Sequence, residues 1–225
     1  MKNVIITGAS RGIGLATAKK FLSEGWQVIG TYNQTKIPLE NSNLKMIKLD
    51  QGSPNSISQT IEQIKTEYSQ INVLVNNAAI LIDVEDETVT LEKIRQTFEV
   101  DLFGLIDFTE RLLPLFKKGS HIINIDSGYG SFSSPIDNKT STSYRMAKAA
   151  LNMYTRTLAF RLKKQGILVS SLDPGWVQTD MGNVVASETE KPDRIPDQPA
   201  NEIFNLAVNP IESGQFWREG KIREW

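Results

Sequence analysis

Apolar residues recur along this chain in two alternating rhythms. Short runs that are almost wholly apolar and rich in Val and Ile occupy residues 3–6, 27–31, 44–48, 72–75, 121–125 and 168–172. Such runs predict strands covered on both faces. Between them, at 12–24, 56–68, 91–116 and 142–164, apolar positions return with the period of a helix. The repetition of strand, helix and strand predicts an α/β fold with three layers, a parallel sheet between two sets of helices. Right-handed crossovers make it doubly wound, with the ligand crevice beyond the carboxyl ends of the strands. A chain of 225 residues is at the upper end of what one core serves, so a single domain over 1–225 is expected. One stretch breaks the rhythm. Residues 182–199 are polar, hold three prolines and show no period. Such a stretch is either a substrate lid or a plain surface loop, and the lid is the expectation here.

The first predicted strand runs into Thr7-Gly8-Ala9-Ser10-Arg11-Gly12-Ile13-Gly14, and a helix follows. Gly8 permits a tight turn, Gly12 lets the backbone approach a pyrophosphate, and Gly14 lets helix and strand pack closely. The helix end adds N–H donors and a positive dipole. Strand before and helix after is the context that makes this glycine pattern informative. The second strand leads to Thr31-Tyr32-Asn33-Gln34-Thr35-Lys36, and the first acid after it is Glu40. A dinucleotide fold that selects NAD places a carboxylate there to bond the ribose 2′-hydroxyl. Its absence, with Arg11 able to fork onto a 2′-phosphate, favours NADP over NAD.

Tyr144 and Lys148 stand four apart at the start of a helical pattern, on one face. A nearby ammonium favours the phenolate and is expected to bring the phenol toward the working pH range. The spacing alone decides little, because Tyr32 and Lys36 repeat it in a loop before Pro38. What singles out Tyr144 is its position after the fifth strand, whose end reads Asn124-Ile125-Asp126-Ser127. The Ser127 hydroxyl can bond a substrate oxygen from there.

Composition narrows the field further. Hydrophobic residues make up 40% and charged residues 23%, as in an ordinary globular domain. A net charge of −1 offers no basic footprint for nucleic acid or an acidic membrane. With no cysteine and one histidine, disulfides, thiolate chemistry and a histidine metal site are not expected. No apolar run nears the roughly 20 residues of a membrane span, and the opening residues do not read as a signal peptide. Cytoplasmic residence is the expectation. His121, opening a strand, reads as a packed residue. The acidic run Asp83-Val84-Glu85-Asp86-Glu87 reads as a solvated face. Phe98, Phe103, Phe108 and Phe116 read as core or a subunit face. Tyr129, Phe132 and Trp176 form either an apolar substrate wall or simple packing.

Taken together, Thr7-Gly8-x-x-x-Gly12-x-Gly14, Asn76-Asn77-Ala78, Ser127, Tyr144-x-x-x-Lys148 and Pro174-Gly175 resemble the short-chain dehydrogenase/reductase family, in family order and over nearly the whole chain. Pro174 to Gly182 and Ser213-Gly214-Gln215-Phe216-Trp217 are similar to its C-factor and sniffer-like carbonyl reductases. The resemblance implies a Rossmann fold and a hydride transfer between NADP(H) and a carbonyl or alcohol carbon. It implies that Tyr144 is the acid/base, that Lys148 holds the nicotinamide ribose, and that Ser127 orients the carbonyl. It further implies a cofactor groove of Gly8, Ser10, Arg11, Gly12, Ile13, Gly14, Asn33, Asp50, Gln51, Asn76, Ala78, Pro174, Gly175, Val177 and Thr179, with Tyr144 and Lys148 at its far end. Three positions depart from the pattern. Asp101 stands in the setting Val100-Asp101-Leu102-Phe103-Gly104, where the family commonly has an asparagine tied to a water relay; it is counted with the catalytic group, either serving or impairing that relay. Ala79 replaces a usual glycine, and Asp126 replaces a frequent serine. The leading expectation is an NADPH-dependent reductase of a small or medium carbonyl compound. An NAD-linked alcohol dehydrogenase and a nucleotide-sensing protein of low turnover are the alternatives. The helices at 91–116 and 142–164 offer a two-fold face for a homodimer or homotetramer.

Overall fold

The computed structural model describes residues 1–35, 39–136, 139–187, 189–209 and 211–225. The apolar runs form strands β1 (Asn3–Ile6), β2 (Gln27–Tyr32), β3 (Leu44–Lys48), β4 (Ile71–Asn76), β5 (Phe116–Ile125) and β6 (Leu168–Leu172). Helices α1 (Gly12–Ser23), α2 (Pro54–Glu67), α3 (Leu91–Phe98), α4 (Leu105–Leu112) and α5 (Thr142–Leu162) connect them. Two further helices, α6 (Asp180–Val184) and α7 (Asp197–Val208), precede a hairpin of β7 (Phe216–Arg218) and β8 (Lys221–Arg223). These strands form one sheet in the order β3-β2-β1-β4-β5-β6-β7-β8, with only β8 antiparallel.

The strands are apolar at successive positions because both faces are covered. Ile5 belongs to one core cluster with Ile61 of α2, Phe108 of α4 and Leu158 of α5, while its neighbours Val4 and Ile6 belong to another with Phe21 of α1 and Ile203 of α7. Each such side chain contributes about 1.5–3 kcal/mol by leaving water. After β3 the chain crosses back over β1 to form β4, so the strand order reverses between β1 and β4. The crevice at that reversal is where the loops after β1 and β4 meet.

The structure departs from the sequence pattern in three places. The helix expected over 91–116 is not continuous. A π-turn at Glu99–Gly104 divides α3 from α4, a 3-10 turn at Leu113–Leu115 follows, and Phe116 already belongs to β5. Pro114 lacks the N–H that a continuing helix needs. The backbone at Gly104 lies so close to the Gln51 carbonyl that a Cβ there would overlap it, and the π-turn accommodates this approach. The expected lid at 182–199 begins inside α6 and ends inside α7, and its residue 188 lies outside the described residues. The hairpin β7–β8 had no counterpart in the periodicity, since its strands have three residues each. Among the described residues, no helix is long and apolar enough to cross a membrane.

Candidate active site

The loop after β1 is built on glycines that few other residues could replace. Gly8 and Gly12 have φ of 67° and 52°, in the left-handed region. A Cβ on Gly14 would collide with the Gly8 carbonyl and the Asn77 amide. Asn77 holds this loop by donating to the carbonyls of Thr7 (2.8 Å) and Gly8 (3.3 Å). The Thr7 hydroxyl accepts from the N–H groups of Asn77 and Ala78 at 2.9 and 3.0 Å. The sequence motif contained Asn77 and Thr7 without marking them as the fasteners. A Cβ on Gly8 would stand 3.2 Å from the Ala78 methyl. Asn76 does not present its side chain to the groove. It is buried and donates to Thr109 (2.9 Å) and Asn124 (2.8 Å), joining β4 to β5 and α4.

Ser10 and Ile13 are half-buried in the glycine loop, and Asn33 is exposed just past β2. Asp50, beyond β3, accepts from Gly52 N–H at 3.0 Å. The Gln51 side chain is buried and donates to the Val100 carbonyl at 2.8 Å, which commits it to the π-turn. Arg11 is exposed and pairs with Asp180 at 3.0 Å. Thr179 lies against Gly12 and caps α6 by accepting from Gly182 N–H at 3.0 Å. The loops after β1 and β6 thus touch. Pro174 is buried, Gly175 has φ of 73°, and Val177 bridges to Arg194, whose guanidinium donates to the Pro174 carbonyl at 2.6 Å. An open backbone cradle at a helix N-terminus, with an arginine at its rim, fits the pyrophosphate and ribose of a dinucleotide.

Beyond β5, Ser127 stands near enough to Tyr144 to act on its phenol, and the Ser127 hydroxyl accepts from Tyr129 N–H at 3.1 Å. Lys148 is buried and donates to the Ile125 carbonyl at 2.9 Å, with its ammonium 5.3 Å from the Tyr144 ring centre. The three groups expected to act together therefore meet where β5 ends and α5 begins. The Lys36 of the competing Tyr-Lys pair lies outside the described residues.

The electrostatics differ from the expectation. Burial, then the charges of Asp101, Asp126 and Asp173, push the Tyr144 phenol well above its ordinary range, while Ser127 acts the other way. In this state the Tyr144 phenol keeps its proton. Asp101 is fully buried in the π-turn. One of its oxygens accepts from Ile80 N–H at 2.9 Å and the other has no hydrogen-bond partner among the described residues. Burial raises its pKa to about 7 against the pull of Lys148, and the nearby Asp83 adds to the rise. Asp126 also rises to about 7, again through burial, although it accepts from Ser127 N–H at 2.7 Å.

Asp83 is not on a solvated face. It is buried, its carboxylate accepts from Ser143 N–H at 2.6 Å, and its carbonyl accepts from Ser141 N–H at 3.0 Å. It therefore seats the first turn of the helix that carries Tyr144. Lys93 and Lys139 do pair with Asp86 and Glu87 outside it. Tyr129 meets Tyr144 edge to face at 6.4 Å, Phe132 is 89% exposed, and the Trp176 indole donates to the Gly182 carbonyl at 2.8 Å. His121 is buried between the Leu206 carbonyl and Ser170, far from any catalytic use.

Comparison with known proteins bears on this arrangement. Residues 2–190 match the model of the short chain dehydrogenase family. The chain belongs to the short-chain dehydrogenase/reductase family. Within that family of oxidoreductases it is 32% identical to an uncharacterised oxidoreductase, YhxC, of Bacillus subtilis over 190 residues, 80% of this chain and 65% of that protein. The chain thus spans slightly less than two thirds of that relative. Among solved short-chain dehydrogenases/reductases, the carbonyl reductase Sniffer of D. melanogaster superposes with a TM-score of 0.87 at 26% identity over 100% of both chains. An NADPH-bound carbonyl reductase from chicken fatty liver gives 0.84 at 28% identity, over 100% of this chain and 94% of that one. The resemblance to sniffer-like carbonyl reductases read from the motifs is therefore met at the level of the whole fold, and the family's cofactor is a nicotinamide dinucleotide.

Proposed function

We propose that this protein reduces the carbonyl group of a small or medium-sized aldehyde or ketone to the alcohol, with NADPH preferred over NADH. The observation that carries the reading is the placement of the buried Lys148 ammonium 5.3 Å from the Tyr144 ring centre, with Ser127 beside the phenol. When bound, the reduced nicotinamide supplies a hydride to the carbonyl carbon. Tyr144, kept protonated by its burial, gives its phenol proton to the carbonyl oxygen. Ser127 donates a hydrogen bond to that oxygen and fixes its distance from the phenol. Lys148, anchored on the Ile125 carbonyl, sets a positive charge near the phenolate that remains. Carbonyl, hydride and proton sum to the alcohol. Asp101 belongs to this group as the buried acid behind Lys148.

Preference for NADPH rests on the missing carboxylate after β2 and on Arg11, which would leave Asp180 for the 2′-phosphate. An exposed ion pair is worth about 0–1 kcal/mol, so a doubly charged phosphate outcompetes it. The backbone of Gly8, Ser10, Gly12, Ile13 and Gly14 would hold the pyrophosphate. Asn33, Asp50, Gln51 and Ala78 would border the adenosine half, and Pro174, Gly175, Val177 and Thr179 the nicotinamide half. Residues 182–199 would act as the lid, with Arg194 as its fixed end. The chain would pair with a second copy through the face of α3 and α5.

The test is NADPH and NADH oxidation with a panel of aldehydes and ketones, in wild type and Arg11→Ala. Turnover with at least one carbonyl is expected, and the substitution should weaken NADPH about tenfold or more while leaving NADH nearly unchanged. Equal losses for both dinucleotides would remove the basis for the NADPH preference. Tight NADPH binding with no turnover on any carbonyl would favour a sensing role instead.

A further inference from the structure

The hairpin β7–β8 lies outside the part of the chain that matches the family model, yet it reaches the loop that follows Ser127. Asp173 follows β6 directly, is buried, and bonds through its backbone N–H to the Trp217 carbonyl of β7 at 2.8 Å. One carboxylate oxygen accepts from Gly175 N–H at 3.0 Å. The other is bound by the Arg223 guanidinium and approached by Arg218 at 3.4 Å. Arg223 is the more committed partner, with a side chain 20% exposed against 43% for Arg218. Its second nitrogen donates to the Ser134 hydroxyl at 2.9 Å. A methyl group on Gly128, the residue after Ser127, would stand 3.3 Å from the Asp173 carboxylate and 3.4 Å from Arg223. The chain beyond β8 ties down the same loop: Ser131 donates to the Glu224 carbonyl (3.2 Å), Ser133 N–H donates to the Trp225 carbonyl (3.2 Å), and the Trp225 ring stacks on Phe216.

We infer that Arg223 is a positioning residue for the reaction: through Asp173 and Ser134 it holds the loop that carries Ser127 against the turn after β6, and its charge cancels the buried carboxylate at the end of β6. This rests on the proposed role of Tyr144 as the proton donor. Tyr144 lies within the field of three carboxylates, Asp101 from the π-turn, Asp126 from the end of β5 and Asp173 from the end of β6. Lys148 opposes the first two. Arg223, with the more exposed Arg218 behind it, opposes the third. Removing Arg223 leaves Asp173 buried and uncompensated, which disfavours the phenolate further. It also releases residues 128–134 from one of their anchors.

The experiment follows kcat and kcat/KM against pH for NADPH-dependent reduction of benzaldehyde, or of whichever carbonyl in the panel turns over, with NADPH affinity measured by fluorescence. In Arg223→Gln, kcat should fall about tenfold or more while the dissociation constant for NADPH changes by no more than about twofold. The alkaline limb should move up by about one pH unit, because the phenol stays protonated longer. In the double variant D173N/R223Q the limb should return to or below its wild-type position while kcat stays low. Asp173→Asn alone, which leaves the arginine in excess, should move the limb down. Where R223Q does not fold, that opposite shift carries the test. A limb that stays at its wild-type pH in both R223Q and D173N would overturn the inference, as would a limb that rises equally in R223Q and the double variant. Amide exchange reads the loop without turnover. Residues 127–134 should exchange faster in R223Q than in wild type, with 8–14 unchanged, and equal rates would contradict the strap even if no carbonyl proved to be a substrate.

Discussion

At the scale of single residues, the site concentrates buried acids around one lysine. Asp101 gives the sharpest consequence. Its folded pKa of about 7 stands above the ordinary 3.8, so its protonated form is favoured in the folded protein. The stability associated with that proton is full below about pH 4 and is lost as the pH rises toward 7, on the order of a few kcal/mol. Asp101→Asn escapes the loss. Its melting temperature relative to wild type should rise between about pH 5 and pH 8, as followed by thermal unfolding. A constant difference across that range would mean that Asp101 does not hold a proton in the fold. His121 works in the opposite sense. Burial lowers it from 6.5 to about 4, so its contribution is present above pH 6.5 and lost as pH falls toward 4. His121→Gln should flatten the acid side of the stability curve. Residue identities at the site were legible in the sequence because motif glycines, Tyr144 and Lys148 must be those residue types. Their environments were not. Nothing in the linear order tells that Asp101, Asp126 and Asp173 converge, which is why the phenol was expected to fall in pKa and instead rises.

At the scale of elements, the helix that carries Tyr144 owes its start to a residue far from it in the chain. Asp83 accepts from Ser143 N–H, and Ser141 adopts φ of 60° to enter the helix. Asp83→Ala should cost about 1–2 kcal/mol through the lost cap and lower kcat together with the melting temperature. Asp83→Asn keeps an acceptor and should cost less; equal losses in both would point to the charge and not the bond. The run Asp83 to Glu87 looked solvated because a long-range cap leaves no periodic signal in sequence. For a different reason, the apolar period of 91–116 overran its helix: the same side of a helix, a π-turn and a following strand all demand apolar residues. Five of the six predicted strands, by contrast, were placed to within one residue at either end, since a strand buried on both faces has no other composition open to it, while β5 begins five residues early in a stretch whose residues 117–119 are exposed. β7 and β8 escaped because three-residue strands give no period.

At the scale of the whole molecule, the reversal of strand order between β1 and β4 brings the glycine loop, the Asn77 fastener and the Ser127–Tyr144 pair to the carboxyl ends of the central strands β1, β4 and β5. The face of the π-turn and α5 carries exposed apolar side chains: Phe103 is 53% and Met153 55% exposed. If that face joins two copies, sedimentation of wild type should give a dimer or larger, and the double variant F103D/M153K should shift it toward monomer. A monomeric wild type would contradict the pairing. The central claim concerns one proton. It is tested by Tyr144→Phe, which keeps the ring and its packing but removes the hydroxyl, with NADPH consumption and NADPH binding measured on the same preparation. Binding should stay within about twofold of wild type while carbonyl reduction falls by about a hundredfold to ten-thousandfold. Reduction at the wild-type rate in that variant would contradict the account.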